Sequence, residues 1–356
     1  MSDDANARHR DRLLELYRPL IDPTRPVALV DFQDTKNCGD HAIWLGQRLL
    51  LRRLGVEVVY ECSHETYDKA AMAAALGSGT VLISGGGSFG DLYPDYMLFK
   101  LAVIEDFPDN EIILFPQTAM FFTTTVLEQT VAAIARHGKV TVTSRDVLTH
   151  RTLTRALGDK ARMVQAPDMA CMIEGLRRDV RPYFDVVWIS RDDGESNGGS
   201  RPLTASGLDL LPRRFHLGAF DDPIKIEALG KIGGRRLFAT DWYRMMVDEQ
   251  SLETDYAALT LEARSAVWVA RAVRLLSYGK LVITDRLHGH ILCTLAGIPH
   301  ILLNNSYGKN YAYFETWSRP SPLCRLAASP ERAWAKALAM LGEPQPARDG
   351  SPQIYA

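Results

Sequence analysis

The chain has 356 residues, of which 46% are hydrophobic and 24% charged, and its formal net charge is -2. This length favours two domains over one, and the composition is typical of a folded globular protein. The small net charge provides no basic surplus for binding nucleic acid. No apolar run approaches the roughly 18 residues needed to span a bilayer, and the polar first residues do not resemble a secretory signal. We therefore expect a cytoplasmic protein without a transmembrane segment.

Apolar runs alternate with helical patterns along the chain, which predicts repeated β–α units and parallel sheets. In the first half, strands are predicted at residues 27–32, 56–62, 80–84, 111–116, 140–144 and 162–166, with helices at 41–54, 67–76, 95–105, 124–137 and 146–157. In the second half, strands are predicted at residues 185–190, 237–240, 281–284 and 300–303, with helices at 256–278, 288–296 and 329–341.

A domain boundary is predicted near residues 173–182. It separates an N-terminal Rossmann-like domain, residues 1–175, from a C-terminal Rossmann-like domain, residues 176–342. The strand tips of the two domains would face a shared cleft, because open α/β sheets bind ligands at the carboxyl ends of their strands. A Gly- and Asp-rich stretch at 192–199 is predicted to be an exposed loop. The Pro-rich tail, residues 343–356, is predicted to be disordered.

The strongest functional signal is a predicted buried strand that runs directly into Asp285, Arg286 and His288, where a helical pattern begins. The planar guanidinium of Arg286 suits a carboxylate or a phosphate, because it forms paired, charge-assisted hydrogen bonds. The imidazole of His288 suits proton transfer, because its ordinary pKa lies near neutrality. The motif therefore predicts acid–base chemistry on an anionic substrate.

A second signal is the glycine run Gly85, Gly86 and Gly87, which follows a predicted strand and precedes Ser88. Glycines let the backbone approach a ligand closely and expose N–H groups that bind anions. The alternative is a tight strand-to-helix turn, which needs fewer glycines. The run lacks the Gly-Lys-Ser/Thr ending of a Walker loop. We expect it to bind an anion.

A third signal lies between the first predicted strand and the first predicted helix, at Asn37, Gly39 and Asp40. The free N–H groups and the dipole at a helix N-terminus attract anions. Asn and Asp are equally suited to ordinary helix capping. Both interpretations stay open, and they are compatible.

Other polar residues follow predicted strands elsewhere in the chain. Arg145 and Gln117 do so in the first half, and Arg191 and Lys309 in the second. Each is an unremarkable residue by itself, but strand ends of parallel sheets meet at one edge. We expect Arg145 to face the same cleft edge as the glycine run.

No metal site is predicted. His288 and His290 are two residues apart at a helix start, which does not place both rings on one face. The five cysteines are scattered without a C-x-x-C pair, which predicts reduced thiols. No carboxylate cluster with ligand spacing accompanies the histidines. We expect a reaction without a metal or another cofactor.

Taken in order, these segments resemble the polysaccharide pyruvyl transferase family. The matching segments are residues 37–40, 84–88, 144–146, 166–168, 284–289 and 297–299, followed by Lys309. They extend over about residues 27–310, which is most of the chain. Only the Asp-Arg-Leu-His-Gly motif at 285–289 is specific by itself, whereas the ordered set is hard to obtain by chance.

The resemblance implies a two-domain fold similar to that of the GT-B glycosyltransferases. It implies transfer of the enolpyruvyl group of phosphoenolpyruvate to a sugar diol, which forms a pyruvate ketal and releases phosphate during exopolysaccharide or cell-surface glycan biosynthesis. By resemblance, Arg286 and His288 match the active-site arginine and histidine of the family, and Arg145 matches its other donor-binding arginine. The family often has Gly-Gln-Gly around the position of Gln117, where this chain has Pro-Gln-Thr, so the role of Gln117 stays open.

This function gives a predicted site. His288 is the candidate proton donor, with Arg286 and Asp285 as the other predicted catalytic residues. The predicted donor-binding residues are Arg145, Gly85, Gly86, Gly87, Ser88, Asn37, Gly39, Asp40 and Lys309. The predicted acceptor-binding residues are Gln117, Arg191, Trp242, Tyr243 and Tyr307, with core packing as the alternative for each aromatic.

Two other functions are compatible with these motifs. One is a nucleotide-sugar glycosyltransferase on the same GT-B-like architecture, and the other is a non-catalytic protein that binds a sugar or an anion. The motifs do not specify the acceptor sugar, whether it is a lipid-linked oligosaccharide, or the oligomeric state. An amphipathic segment near the N-terminus is predicted to be a packing helix, with contact to the inner face of the plasma membrane as the alternative.

Overall fold

The structure is a computed structural model that describes residues 2–178, 180–191, 193–196, 209–210, 214–216, 223–225, 228–232, 234–240, 256–319 and 321–342. The predicted acceptor residues Trp242 and Tyr243, part of the predicted loop at 197–199, and the predicted tail at 343–356 lie outside these residues. Within the described residues, no helix has both the length and the apolar character needed to cross a bilayer.

The first half of the chain alternates strands and helices. Its strands are β1 (Val27–Phe32), β2 (Val58–Ser63), β3 (Thr80–Ile83), β4 (Gly86–Gly90), β5 (Ile112–Met120), β6 (Val140–Ser144) and β7 (Arg162–Gln165). Its helices are α1 (Ser2–Tyr17), α2 (Cys38–Leu54), α3 (Lys69–Leu76), α4 (Pro94–Asp106), α5 (Thr124–His137) and α6 (Val147–Leu157), followed by a 3-10 turn at Met169–Met172.

The second half contains more strands than helices. Its strands are β8 (Phe184–Ile189), β9 (Asp209–Leu210), β10 (Arg214–His216), β11 (Pro223–Lys225), β12 (Ala228–Ile232), β13 (Arg235–Thr240), β14 (Gly279–Thr284), β15 (His300–Leu303) and β16 (Cys324–Ala327). Its helices are α7 (Leu261–Ser277), α8 (Leu287–Leu295), α9 (Lys309–Tyr313) and α10 (Pro330–Gly342), with a 3-10 turn at Tyr256–Ala258 and a π-helical turn at Phe314–Ser318.

The first sheet is parallel throughout, in the order β2-β1-β3-β5-β6-β7, with β4 beside β5. Helices connect its strands, as parallel pairing requires. Strands β1 and β3 are buried along their whole length. Such continuous burial accounts for their unbroken apolar sequences, because helices cover both faces of a parallel sheet.

The second sheet has the order β16-β15-β14-β8-β13-β12-β9. Pairing is parallel from β16 to β13, whereas β12 is antiparallel to both β13 and β9. Strands β10 and β11 form a separate antiparallel pair. The architecture is therefore mixed α/β with two mainly parallel sheets, consistent with a Rossmann-like fold.

One hydrophobic core joins the two sheets. It contains side chains from both halves of the chain, among them Trp44 of α2 and Trp268 of α7. The ring of Trp268 also stacks on His41, with 5.4 Å between ring centroids. Leu13 and Tyr17 of α1 belong to the same core, so the N-terminal helix packs as the sequence predicted. The position of the domain boundary itself stays a prediction.

Two strands differ from their predictions in ways that affect the site. The glycine run does not lead directly into a helix, because Gly86–Gly90 forms β4, which pairs with β5. Strand β5 continues to Met120, beyond the end predicted at residue 116. Strand β1 also has an irregularity near its end, where Asp31 has a φ of 70° and the register with β2 shifts.

Candidate active site

A cavity of about 240 Å³ lies where strand ends of the two sheets meet. Its walls include Gln33, Thr35, Asn37 and Asp40 after β1, Gly87 and Ser88 of β4, Tyr93 and Tyr96 near the start of α4, Arg145 after β6, Arg191 and Glu195 after β8, Arg286, Leu287 and His288 after β14, and Lys309 of α9. The cavity thus brings together predicted residues from distant parts of the chain, at the edge where α/β sheets bind ligands.

The segment after β1 supplies a polar wall because it begins α2. The side chain of Asn37 caps this helix by accepting a hydrogen bond from the N–H of Gly39, at 3.2 Å. Asp40 accepts a hydrogen bond from the hydroxyl of Thr35 at 2.9 Å. Capping and cavity lining therefore coincide at Asn37, as both interpretations of the sequence allowed.

Arg145 is almost fully buried, and two of its nitrogens are held by the protein. Its Nε donates to Thr118 at 2.8 Å, and its Nη1 donates to Asp168 at 2.6 Å. Its Nη2 lies 3.5 Å from where a β-carbon on Gly87 would be. The two fixed nitrogens orient the guanidinium, so its remaining nitrogen is directed toward the glycine side of the cavity.

Asp168 joins Arg145 to His288. The Nε2 atom of His288, from the second half, lies 3.4 Å from the carboxylate oxygen that Arg145 contacts. Burial alone would raise the pKa of Asp168, but His288 and Arg145 hold that pKa well below its usual range. The carboxylate is therefore ionised where it faces the imidazole.

The other edge of the His288 ring lies against α2. A β-carbon on Gly39 would be 2.2 Å from Nδ1 and 2.6 Å from Cγ of His288. Real atoms do not approach so closely, so only glycine leaves room for the ring in this position. Gly39 does not line the cavity, and it shapes the site by fixing the imidazole.

Two carboxylates from the segment after β8 hold the remaining arginines. Asp193 accepts paired hydrogen bonds from Arg191, at 2.8 and 2.9 Å, and lies 3.3 Å from Arg286. Burial opposes ionisation of Asp193, but Arg191 and Arg286 lower its pKa. The paired geometry fixes the plane of the Arg191 guanidinium at the cavity wall.

Glu195 is the centre of a second group of contacts. Its carboxylate contacts Lys309 and accepts hydrogen bonds from Tyr307 at 2.8 Å and Tyr93 at 3.2 Å. It also lies 3.1 Å from Arg191. Burial opposes ionisation, but Lys309 and Arg191 hold the pKa of Glu195 well below its usual range.

Burial lowers the pKa of Lys309 to about 8, although the carboxylate of Glu195 opposes this. The ammonium of Lys309 lies 3.5 Å from the position of a β-carbon on Gly87, and Nη2 of Arg145 lies at the same distance from that position. Two cations, one from each half of the chain, therefore face the same glycine. This arrangement can bind an anion, and the near-neutral pKa makes the charge of Lys309 sensitive to pH.

The sequence of the chain matches known proteins over most of its length. The sequence profile described as polysaccharide pyruvyl transferase matches residues 37–203 and 269–307. Pyruvyl transferase 1 of Schizosaccharomyces pombe is 30% identical in an alignment of 315 residues that covers 86% of this chain and 73% of that protein. The chain belongs to the polysaccharide pyruvyl transferase family. The predicted resemblance is confirmed.

A further relative is named as a putative pyruvyl transferase, and one solved structure shares the fold of this chain. The putative pyruvyl transferase EpsO of Bacillus subtilis is 25% identical over 301 residues, covering 84% of this chain and 88% of that protein. The crystal structure of an uncharacterised protein of Klebsiella pneumoniae has the same fold, with a TM-score of 0.56 at 16% identity. That likeness covers 90% of this chain and 99% of the other.

Several predicted site residues of this pyruvyl transferase family member lie outside the cavity wall. Asp285 is fully buried, and its carboxylate accepts a hydrogen bond from the N–H of Arg191 at 2.8 Å. Gln117 is also buried within β5, and its side chain donates to the carbonyl of Ser84 at 2.8 Å. Neither side chain lines the cavity, and the predicted roles of Asp285 in catalysis and of Gln117 in acceptor binding stay predictions. Tyr307 does not line the cavity and reaches it through Glu195.

The glycine run is divided between the wall and the sheet. Gly87 and Ser88 line the cavity, whereas Gly85 and Gly86 do not. A β-carbon on Gly85 would be 2.7 Å from the carbonyl oxygen of Pro116, so that glycine permits close packing of backbone on β5. The run therefore presents fewer amides to a ligand than the three-glycine cradle that the sequence suggested.

Behind the site, His290, His300 and Cys324 are buried and close enough together to hold a metal ion. Their imidazoles already form a continuous hydrogen-bonded chain. His290 contacts Ser318 and His300, each at 2.7 Å, and His300 contacts the carbonyl of Ile298 at 2.8 Å. A neutral tautomer of each ring satisfies this chain without a metal. The absence of a metal stays a prediction.

Proposed function

We propose that this protein transfers the enolpyruvyl group of phosphoenolpyruvate to a sugar diol, forming a pyruvate ketal and releasing phosphate. Family membership supports pyruvyl transfer in polysaccharide biosynthesis. The observation that carries the donor assignment is the convergence of Arg145 and Lys309 on Gly87, with Arg286 and His288 in the same cavity wall. A small molecule that bears both a carboxylate and a phosphate needs several such donors within a few ångströms.

The charges in the cavity wall suit such an anion. Arg145, Arg191, Arg286 and Lys309 are cationic, and each also contacts a carboxylate of the protein. These carboxylates fix the cations in place. An arginine has five N–H donors, so pairing with a carboxylate leaves donors for a ligand. We assign the phosphate and carboxylate of the donor to this group of cations.

His288 is the proposed general acid. It would transfer a proton to the methylene carbon of phosphoenolpyruvate, which makes C2 electrophilic. One hydroxyl of the acceptor then bonds to C2, the bond between C2 and the phosphate oxygen breaks, and the second hydroxyl closes the ketal. Of the two hydroxyl protons that the acceptor loses, one offsets the proton gained by the methyl group and the other leaves with phosphate.

The remaining components follow from this scheme. Arginine next to the departing phosphate would stabilise its charge, so we propose that no metal or other cofactor is needed. The acceptor would be a sugar, either free or part of a lipid-linked oligosaccharide. The two sheets, with strand ends at one cavity, support the proposal that the molecule is GT-B-like.

The decisive experiment is a phosphate-release assay with phosphoenolpyruvate and a panel of sugar acceptors, analysed by mass spectrometry for the ketal. We expect phosphate release that depends on an acceptor, and full activity in the presence of a chelator. Glycosyl transfer from a nucleotide sugar, without reaction of phosphoenolpyruvate, would instead identify a glycosyltransferase. Binding of phosphoenolpyruvate without release of phosphate with any acceptor would support a non-catalytic binding protein.

A further inference from the structure

The hydroxyl of Ser88 has an unusual set of neighbours. Its oxygen accepts a hydrogen bond from the side-chain nitrogen of Gln33 at 2.7 Å and another from the ammonium of Lys100 at 2.9 Å. Ser88 is almost fully buried, yet it forms part of the cavity wall. The described residues offer its hydroxyl proton no acceptor in the protein.

A serine hydroxyl has two acceptor lone pairs and one proton. Both of its neighbours act as donors, since an ammonium has no lone pair and the amide nitrogen of glutamine donates only. The two lone pairs of Ser88 are therefore occupied. Its proton remains for a hydrogen bond on the open side, which is the cavity.

Lys100 cannot contact a ligand directly. Its side chain is fully buried in α4 and does not form part of the cavity wall. Its ammonium lies 2.6 Å from the carboxylate of Asp31, which is also fully buried. An unpaired buried charge would be costly, so Asp31 keeps Lys100 in place beneath Ser88.

The backbone of Asp31 is itself unusual. Its φ of 70° is in the left-handed region, and the other described residues with positive φ are glycines. Residues other than glycine rarely adopt this conformation, and it persists where the surrounding structure imposes it. Here the conformation coincides with the register shift at the end of β1. The carboxylate of Asp31 lies next to the ammonium of Lys100, which in turn contacts Ser88 of the cavity wall.

We propose that Asp31 and Lys100 are positioning residues that make Ser88 an obligate hydrogen-bond donor to the anionic group of the substrate. The inference rests on the proposed function for the identity of that substrate. A positive charge beside the oxygen polarises the hydroxyl and strengthens the bond it donates. Ser88 follows Gly87, which faces Arg145 and Lys309, so its partner is an oxygen of the phosphate or carboxylate held there.

The test measures the affinity for phosphoenolpyruvate by calorimetry, the kinetic constants of phosphate release, and thermal stability. Ser88→Ala should weaken binding roughly ten- to hundredfold, the usual effect of losing a hydrogen bond to a charged group. Ser88→Thr retains the hydroxyl and should recover part of that loss. The control is Thr130→Ala, which removes a buried hydroxyl that donates to Val126 in α5, outside the cavity.

The role of Asp31 and Lys100 is tested by replacing them both with and without Ser88→Ala. Lys100→Met leaves Asp31 unpaired and can prevent folding, so the neutral double variant Asp31→Asn with Lys100→Met is measured as well. Asparagine tolerates positive φ, which retains the backbone of Asp31. We expect the double variant to weaken binding, and Ser88→Ala added to it to cause little further loss. Such non-additivity is the mark of residues that act through one another.

Three outcomes would overturn the proposal. Wild-type affinity in Ser88→Ala would show that the hydroxyl donates nothing to the ligand. Full additivity of the Ser88 and Lys100 losses would show that the pair acts independently of Ser88. A loss of thermal stability with unchanged affinity would make the pair merely structural. If the wild type does not react with phosphoenolpyruvate, the proposed function fails, and the same variants are compared with inorganic phosphate as the calorimetric probe.

Discussion

His288 is the residue on which the proposed chemistry depends. Its ring is confined between Gly39 and the carboxylate of Asp168, and it forms part of the cavity wall. A general acid must be held within reach of the atom that it protonates, and these two contacts fix the ring at the cavity wall.

Replacement of His288 tests this role. We expect His288→Ala to lower the turnover number by roughly 10²–10⁴-fold, the usual contribution of a positioned acid. Binding of phosphoenolpyruvate should change much less, because the cations of the wall remain. The measurement combines phosphate release with calorimetry. The control is His137→Ala, in the last turn of α5, because His137 does not line the cavity. Turnover close to wild type would contradict the assignment.

Lys309 gives the site a dependence on pH. Its pKa is lowered to about 8, so its ammonium loses the proton as the pH rises through that value. The affinity for phosphoenolpyruvate should therefore fall between about pH 7 and about pH 9.5, where the phosphate group is already fully ionised. Lys309→Arg stays charged throughout this range and should bind with little dependence on pH. An equally steep profile in that variant would contradict the prediction.

At the scale of elements, the first turn of α2 determines where the imidazole can lie. Alanine is a better helix former than glycine by roughly 1 kcal/mol, so Gly39→Ala would stabilise an isolated helix. In the folded protein the added carbon would be 2.2 Å from Nδ1 of His288. Glycine at this position is therefore explained by the space that His288 of α8 needs, although alanine would favour the helical conformation of α2.

Gly39→Ala should lower both thermal stability and turnover, because the ring of His288 must move away from Asp168. The same substitution in a His288→Ala background should be neutral or stabilising, because the space is vacant. The test is a double-mutant cycle in which the thermal unfolding of the wild type, Gly39→Ala, His288→Ala and the double variant is measured by calorimetry. A loss of stability of the same size in both backgrounds would show that the clash involves other atoms.

Much of the site could be predicted from strand ends. Arg145, Arg286 and Lys309 each follow an apolar run, and parallel strands bring such positions to one edge. Gln117 did not reach the cavity because β5 continues past it to Met120, so the residue belongs to the strand interior. Asp285 and Arg286 are adjacent residues with different surroundings, and only the second faces the cavity.

Glu195 and Asp193 are not among the residues predicted for the site, because their local sequence is typical of an exposed turn. Their burial results from ion pairs with Lys309 and Arg286, which are about a hundred residues away in the chain. The sequence does contain a signal for these residues, because Arg191, Asp193 and Glu195 occupy every second position directly after a strand. The strand β4 was also missed, since a glycine-rich stretch lacks the side chains that indicate strand formation.

At the scale of the molecule, a bound donor should stabilise both halves together. The cavity wall combines residues of the first half with Arg286, His288 and Lys309 of the second. A ligand that binds only the folded state raises the unfolding free energy by an amount that grows with its concentration. We expect phosphoenolpyruvate to raise the melting temperature in a single transition. A nucleoside diphosphate that stabilises the protein while phosphoenolpyruvate does not would favour glycosyl transfer.

The shared hydrophobic core has a consequence for exchanging parts between relatives. Helix α1 begins the chain but packs in the same core as α8, and α2 packs in it with α7. A chimera joined near residue 175 would combine apolar surfaces that did not evolve together. We therefore expect grafts that include α1, α2, α7 and α8 from one parent to yield soluble hybrids, and grafts of a single half to aggregate. Acceptor preference in this family would then be easier to alter through loops at the cavity rim than through recombination of halves.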